Sequence, residues 1–120
     1  MKDSKVYSDS YQLTILTFHR TKSFPRHLRP TLGRSLEEKV LELSYVIRKS
    51  SVYTGRVRLK YLKLGSSALD EIKILGQMAT DLKGFTTSSY HEFSKLTAEI
   101  GRELGGFIKY ESRKGKDGSS

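Results

Sequence analysis

A chain of 120 residues with 36% hydrophobic and 29% charged side chains can bury one core, is too apolar to stay unfolded and is too polar to lie in a bilayer. The 22 Lys and Arg exceed the 13 Asp and Glu to give a net charge of +9, an excess that repels itself on folding and favours polyanionic partners, nucleic acid first and an anionic membrane surface second. Without cysteine there is neither a disulfide framework nor a thiolate metal site.

No apolar run approaches the roughly 18 residues of a spanning helix. The opening Met1-Lys2-Asp3-Ser4-Lys5 leads into polar residues, not a signal-peptide core, so a cytoplasmic protein is expected. Residues 1–7 are expected to be flexible. A first helix is predicted over Ser8–Lys22, with Tyr7, Tyr11, Ile15 and Phe18 on one stripe at steps of four, four and three. Pro25 and Pro30 make residues 23–30 a rigid connection.

Thr31 suits a helix N-cap, and Leu32, Leu36, Val40, Leu43 and Ile47 then form the apolar face of a second helix, Leu32–Ser50. A third helix is predicted from Gly55 to Leu82 on the stripe Leu62, Leu69, Ile72, Leu75, Ala79 and Leu82. The alternating Arg56–Leu62 stretch could be a strand in isolation, but the helical stripe runs on from Leu62. Gly65 and Gly76 inside this helix each cost roughly 1 kcal/mol of propensity relative to Ala; one continuous helix is nonetheless expected. Lys83-Gly84 ends it. Ser89 followed by Glu92 reads as a capping box for a fourth helix, which runs to about Ser112 with Phe93, Leu96, Ile100, Leu104, Phe107 and Ile108 inward. Residues 113–120 read as a mobile basic tail. The fold class is all-α, an up-and-down antiparallel four-helix bundle over residues 8–112.

Residues 48–63 carry Arg48, Lys49, Arg56, Arg58, Lys60 and Lys63 and no acid. At 3.6 residues per turn Arg56, Lys60 and Lys63 share one helix side, which either meets an anion or is only a solvated face. A second basic set, Arg102, Lys109, Arg113, Lys114 and Lys116, follows the fourth helix and its extension. Short connections make successive helices antiparallel, so the end of the second helix, the start of the third and the end of the fourth should meet at one end of the bundle. That favours nucleic-acid binding. Tyr53 and Tyr61 lie among these cations, either as stacking surfaces for unpaired bases or as ordinary packed rings.

Chemistry is harder to find. His19, His27 and His91 have no carboxylate at ligand spacing, so no metal is expected, and no motif marks a nucleophile or a phosphate loop. No enzymatic activity and no cofactor are expected. Gly101 and Gly105, four apart, and Gly106 read as helix-packing positions, within the bundle or at a subunit contact. A membrane-surface role ranks low, because four helices can bury their apolar faces on one another.

Phe24-Pro25, Thr31-Leu32-Gly33-Arg34 and above all Ile100-Gly101-Arg102-Glu103-Leu104-Gly105-Gly106-Phe107-Ile108-Lys109 resemble a family of small four-helix bundles. It comprises the accessory variability proteins of diversity-generating retroelements and bundle proteins encoded in intervening sequences of bacterial large ribosomal RNA genes. The likeness runs from about Tyr11 to Lys116. It implies a homopentameric barrel of bundles without enzymatic activity. It also implies binding to RNA or DNA and to the retroelement reverse transcriptase during mutagenic complementary-DNA synthesis. Carried over by position, Arg102 and Lys109 fall in the matched motif, and Arg26, Arg29 and Arg34 within or beside the weaker pieces. Phe107 stands where tryptophan is frequent, and Gly76-Gln77 interrupt a stretch that is more apolar in relatives. The ribosomal-gene branch implies a structural or interaction protein with no nucleic-acid role.

Overall fold

The computed structural model describes the backbone of residues 4–116 and the side chains of residues 5–114. Four helices, α1 (Ser4–Thr21), α2 (Arg34–Ser50), α3 (Gly55–Asp81) and α4 (Thr87–Lys116), run up and down, and no strand occurs among the described residues. Each helix packs on its sequence neighbour, and α1 closes the ring against α4. The bundle measures 52 × 22 × 22 Å. Its two ends are therefore too far apart for side chains at one to join a patch at the other. One end holds the start of α1, the α2–α3 turn and the end of α4; the other holds the α1–α2 connection and the α3–α4 turn.

The apolar stripes of α2 to α4 fill the core as their spacing requires: Leu36, Val40, Leu43 and Ile47 from α2, Leu62, Leu69, Ile72 and Ala79 from α3, and Phe93, Ile100 and Leu104 from α4. Leu82, expected on the α3 stripe, is exposed just beyond the helix. The first helix needs a larger correction. It begins at Ser4, so residues 4–7 belong to the bundle, and Tyr11 and Ile15 point outward while Val6, Ser10, Leu13, Thr17 and Thr21 are buried. Three of those five are hydroxyl residues, which a hydropathy stripe passes over. Ser10 donates to the Tyr7 carbonyl at 2.7 Å and Thr21 to Glu37 of α2 at 2.6 Å, so these two hydroxyls keep partners on burial, whereas the Thr17 hydroxyl has none among the described residues.

The connection after α1 is also more ordered than a proline-stiffened link. Pro25 precedes a 3-10 turn (Arg26–Leu28), closed by the Leu28 N–H on the Pro25 carbonyl at 2.9 Å, and a single π turn (Arg29–Gly33) leads into α2. Thr31 lies inside that π turn, not at an N-cap, and its hydroxyl reaches back to the carbonyls of His27 and Leu28. α3 runs unbroken through Gly65 and Gly76. Its end is marked by Lys83 at φ 68°, after which the Gly84 and Phe85 N–H groups both donate to the Ala79 carbonyl at 2.7 and 3.1 Å. The cap of α4 is Thr86, whose Oγ1 accepts the Ser89 N–H at 3.0 Å; Glu92, expected in a capping box, instead pairs with Arg20 of α1 at 2.9 Å. α4 continues to Lys116, so residues 113–116 are helix, while residues 117–120 of the expected tail lie outside the described residues.

Candidate nucleic-acid interface

Arg48, Arg56, Lys60, Lys63, Lys109 and Arg113 are exposed at the end of the bundle built by the α2–α3 turn and the end of α4, with Lys49 and Lys114 half-buried beside them. Among the described residues, none of Arg48, Lys49, Arg56, Lys60, Lys63, Lys109 and Arg113 has a carboxylate partner. Over residues 48–63 and 107–114 the one acid is Glu111. It is buried, and its Oε2 takes the Arg58 Nε–H at 3.0 Å. Among the described residues of 48–63 and 107–114 the exposed charge is therefore of one sign; the carboxylates beside the start of α1, Asp9, Glu99 and Glu103, gather round Lys5. Lys116 belongs to the same end by sequence, but its side chain lies outside the described residues.

Arg58 corrects the expectation for its group. Only 8% exposed, it donates to Glu111 of α4 and, at 2.9 Å, to the Ser50 carbonyl at the end of α2, with its guanidinium over the Phe107 ring at 5.1 Å. One side chain thus ties three helices together beneath the exposed cations. It positions the patch and does not face a ligand.

The remaining predicted cations do not gather there. Arg26, Arg29 and Arg34 are exposed at the opposite end, with Arg29 donating to the Phe24 carbonyl and Arg34 paired to Glu38 at 3.6 Å. Arg102 is exposed further along α4 and pairs with Glu99 one turn back.

Tyrosines accompany the cations. The Arg48 guanidinium lies over the Tyr7 ring at 5.6 Å, the Lys49 ammonium over Tyr45 at 5.8 Å and the Lys114 ammonium over Tyr110 at 5.6 Å. Tyr53 stacks on Tyr61, centroids 5.6 Å apart and planes 13° from parallel. Sequence reading singled out Tyr53 and Tyr61 but missed Tyr45 and Tyr110, although Tyr45/Lys49 and Tyr110/Lys114 each carry the four-residue spacing that makes helix neighbours.

Within one bundle, Gly101, Gly105 and Gly106 are not where the helices approach most closely. A Cβ on Gly101 would meet Leu69 and Lys73 at an ordinary 3.5 Å, and one on Gly105 or Gly106 would meet nothing within 4 Å. The tight approach is at Gly76, where a Cβ would lie 2.3 Å from Phe93 Cε1. The glycine that weakens the α3 stripe on paper is the one that admits the α4 aromatic ring.

Asp9, Glu99 and Glu103 bring carboxylate oxygens within 4.8 Å of one another, a grouping that could suit a cation. The Lys5 ammonium already bridges them at 2.9, 3.1 and 2.7 Å. The hydrogen bonds that the Lys5 ammonium donates to Glu103 and Asp9 hold it above its ordinary value, and burial holds the Glu103 carboxyl above its own.

No helix among the described residues is long and apolar enough to cross a membrane. No protein-family model matches the chain, and no curated protein does. The chain is similar to a solved protein of unknown function from the S23 ribosomal protein family of Bacteroides thetaiotaomicron, with a TM-score of 0.79 and 16% identity over 91% of this chain and 99% of that one. At that identity the likeness shows the all-helical bundle fold and nothing finer.

Proposed function

We propose that this bundle is a non-catalytic nucleic-acid-binding accessory protein that works beside the reverse transcriptase of a diversity-generating retroelement, as a homopentamer. The observation that carries the nucleic-acid reading is the basic surface of residues 48–63 and 107–114: seven cations without a carboxylate partner among the described residues, and the one acid of those two stretches buried against Arg58. Such a surface gains free energy on meeting phosphates, because each neutralised phosphate releases a condensed counterion. The retroelement setting and the pentamer rest on the likeness of the Ile100–Lys109 motif and its companions. Arg56→Glu/Lys60→Glu/Lys63→Glu tests the reading. These side chains are exposed and make no ion pair among the described residues, so the variant is expected to fold as wild type by circular dichroism. Its affinity for a labelled single-stranded RNA is expected to fall, and the magnitude of its log–log salt slope to drop by about two, at roughly 0.7 per phosphate. RNA retention equal to wild type would refute the assignment.

A second reading is a structural or interaction bundle of the ribosomal-gene type. It is suggested by the family name that the structurally similar protein carries, S23 ribosomal, and not by the shared fold itself. It predicts no RNA or DNA binding at any salt concentration.

A further inference from the structure

We propose that the basic end takes single-stranded nucleic acid, with bases stacked on Tyr45, Tyr53 and Tyr110 while the neighbouring cations hold the phosphates; this rests on the nucleic-acid reading above. A duplex offers a surface only its phosphates and groove edges, with the base faces hidden in the stack. A protein that binds duplex by charge alone has no use for exposed rings. Here three rings lie among the cations and are open to solvent, Tyr45 at 59%, Tyr110 at 58% and Tyr53 at 39% exposed. An exposed tyrosine next to a lysine presents both groups a nucleotide needs, a flat apolar face for the base and an ammonium for its phosphate.

The arrangement repeats on two helices. Lys49 lies over Tyr45 on α2 and Lys114 over Tyr110 on α4, each one helical turn from its ring. At Tyr45 the surface cation–π contact is weaker than base stacking, so an arriving base can take the ring face and leave the Lys49 ammonium to the adjoining phosphate. Tyr53 sits in the turn that links Lys49 to Arg56, with its other side supported by the half-buried Tyr61 at 5.6 Å. Backed by a second ring, it is held as a platform in the middle of the basic run.

The test uses the full chain and three probes of nearly equal phosphate number: a mixed-sequence 20-mer single strand, a duplex of about 10 base pairs, and an abasic 20-mer. Binding is followed by fluorescence anisotropy at fixed salt. The base-bearing single strand is expected to bind at least roughly tenfold tighter than the abasic strand, and tighter than the duplex. Tyr45→Ala, Tyr53→Ala and Tyr110→Ala should each remove roughly tenfold from that preference while leaving the salt slope alone, and the Tyr→Phe variants should keep it. All three rings are exposed, and unchanged helicity of the variants confirms that folding is intact. Equal binding of all three probes, with alanine variants like wild type, would overturn the single-strand assignment and leave charge-driven nucleic-acid binding standing. No binding of any probe would overturn both.

Discussion

Gly76→Ala should destabilise the bundle, whereas Gly65→Ala in the same helix should stabilise it. Both glycines are buried in α3, and in both cases alanine recovers roughly 1 kcal/mol of helix propensity. They differ in what the new methyl meets. At Gly65 it lies 3.5 Å from Val46 Cγ2 and 3.6 Å from Leu104 Cδ1, ordinary contact distances, so the propensity gain survives. At Gly76 it would fall 2.3 Å from Phe93 Cε1 and 2.8 Å from Cζ, so the ring must move by more than about 1 Å to restore contact near 3.5 Å. Phe93 has little room to move: it is 1% exposed, with Phe85 at 5.1 Å and Tyr90 at 6.3 Å. Overpacking of this kind costs typically 1–3 kcal/mol, and a clash so close belongs at the upper end, leaving a net loss of roughly 1–2 kcal/mol. For a chain of this size that is a drop of roughly 4–8 °C in melting temperature, against a rise of about 4 °C for Gly65→Ala. Thermal unfolding followed at 222 nm reads both. Phe93→Leu on the Gly76→Ala background should cost less than the sum of the two changes, because the smaller side chain relieves the clash. A Gly76→Ala protein that melts at or above wild type would show that the α3–α4 packing described here is wrong.

Arg58→Met leaves the buried Glu111 carboxylate without its cation and should lower stability by about 3–5 kcal/mol in urea titrations, and Arg58→Met/Glu111→Leu should recover most of it. Burial, and secondarily Asp9, raise the Glu103 carboxyl, while Lys5 opposes them. A carboxyl raised on folding favours the folded state most below its unfolded value, near 4.5, and that contribution is lost as pH rises through the folded value. Wild type should therefore lose stability relative to Glu103→Gln as pH climbs from 4.5 toward neutrality, and a difference that does not vary with pH would contradict this. Light scattering should report five times the mass of one chain, and a monomer would remove the proposed pentamer.

How far the sequence could be read depended on whether a residue's role was local. The α2 face was legible because Leu36, Val40, Leu43 and Ile47 are all apolar and all buried. The α1 face was not, because Ser10, Thr17 and Thr21 replace apolar residues on it while Tyr11 and Ile15 imitate a stripe on the outer side. Thr86 and Ser89 are both plausible caps three residues apart, and only the Ser89 N–H on Thr86 Oγ1 separates them. The gathering of cations at one end followed from antiparallel topology alone. Two cations of those sets depart from it: Arg102 pairs with Glu99 further from that end, and Arg58 could not be anticipated, since its partner Glu111 is 53 residues away and pairs with it only once α3 and α4 are in register. Gly76 was misjudged for the same reason: its value lies in Phe93 across the interface, not in its own helix.

The central claim is that the cations at one end of this bundle bind a polyanion, and the salt dependence of RNA binding by the intact protein tests it most directly. If the seven cations without carboxylate partners among the described residues engage phosphates of a single strand, log K against log salt should fall with a slope of roughly −3 to −5 at about 0.7 per phosphate. A slope near zero, or no measurable binding even at low salt, would contradict it.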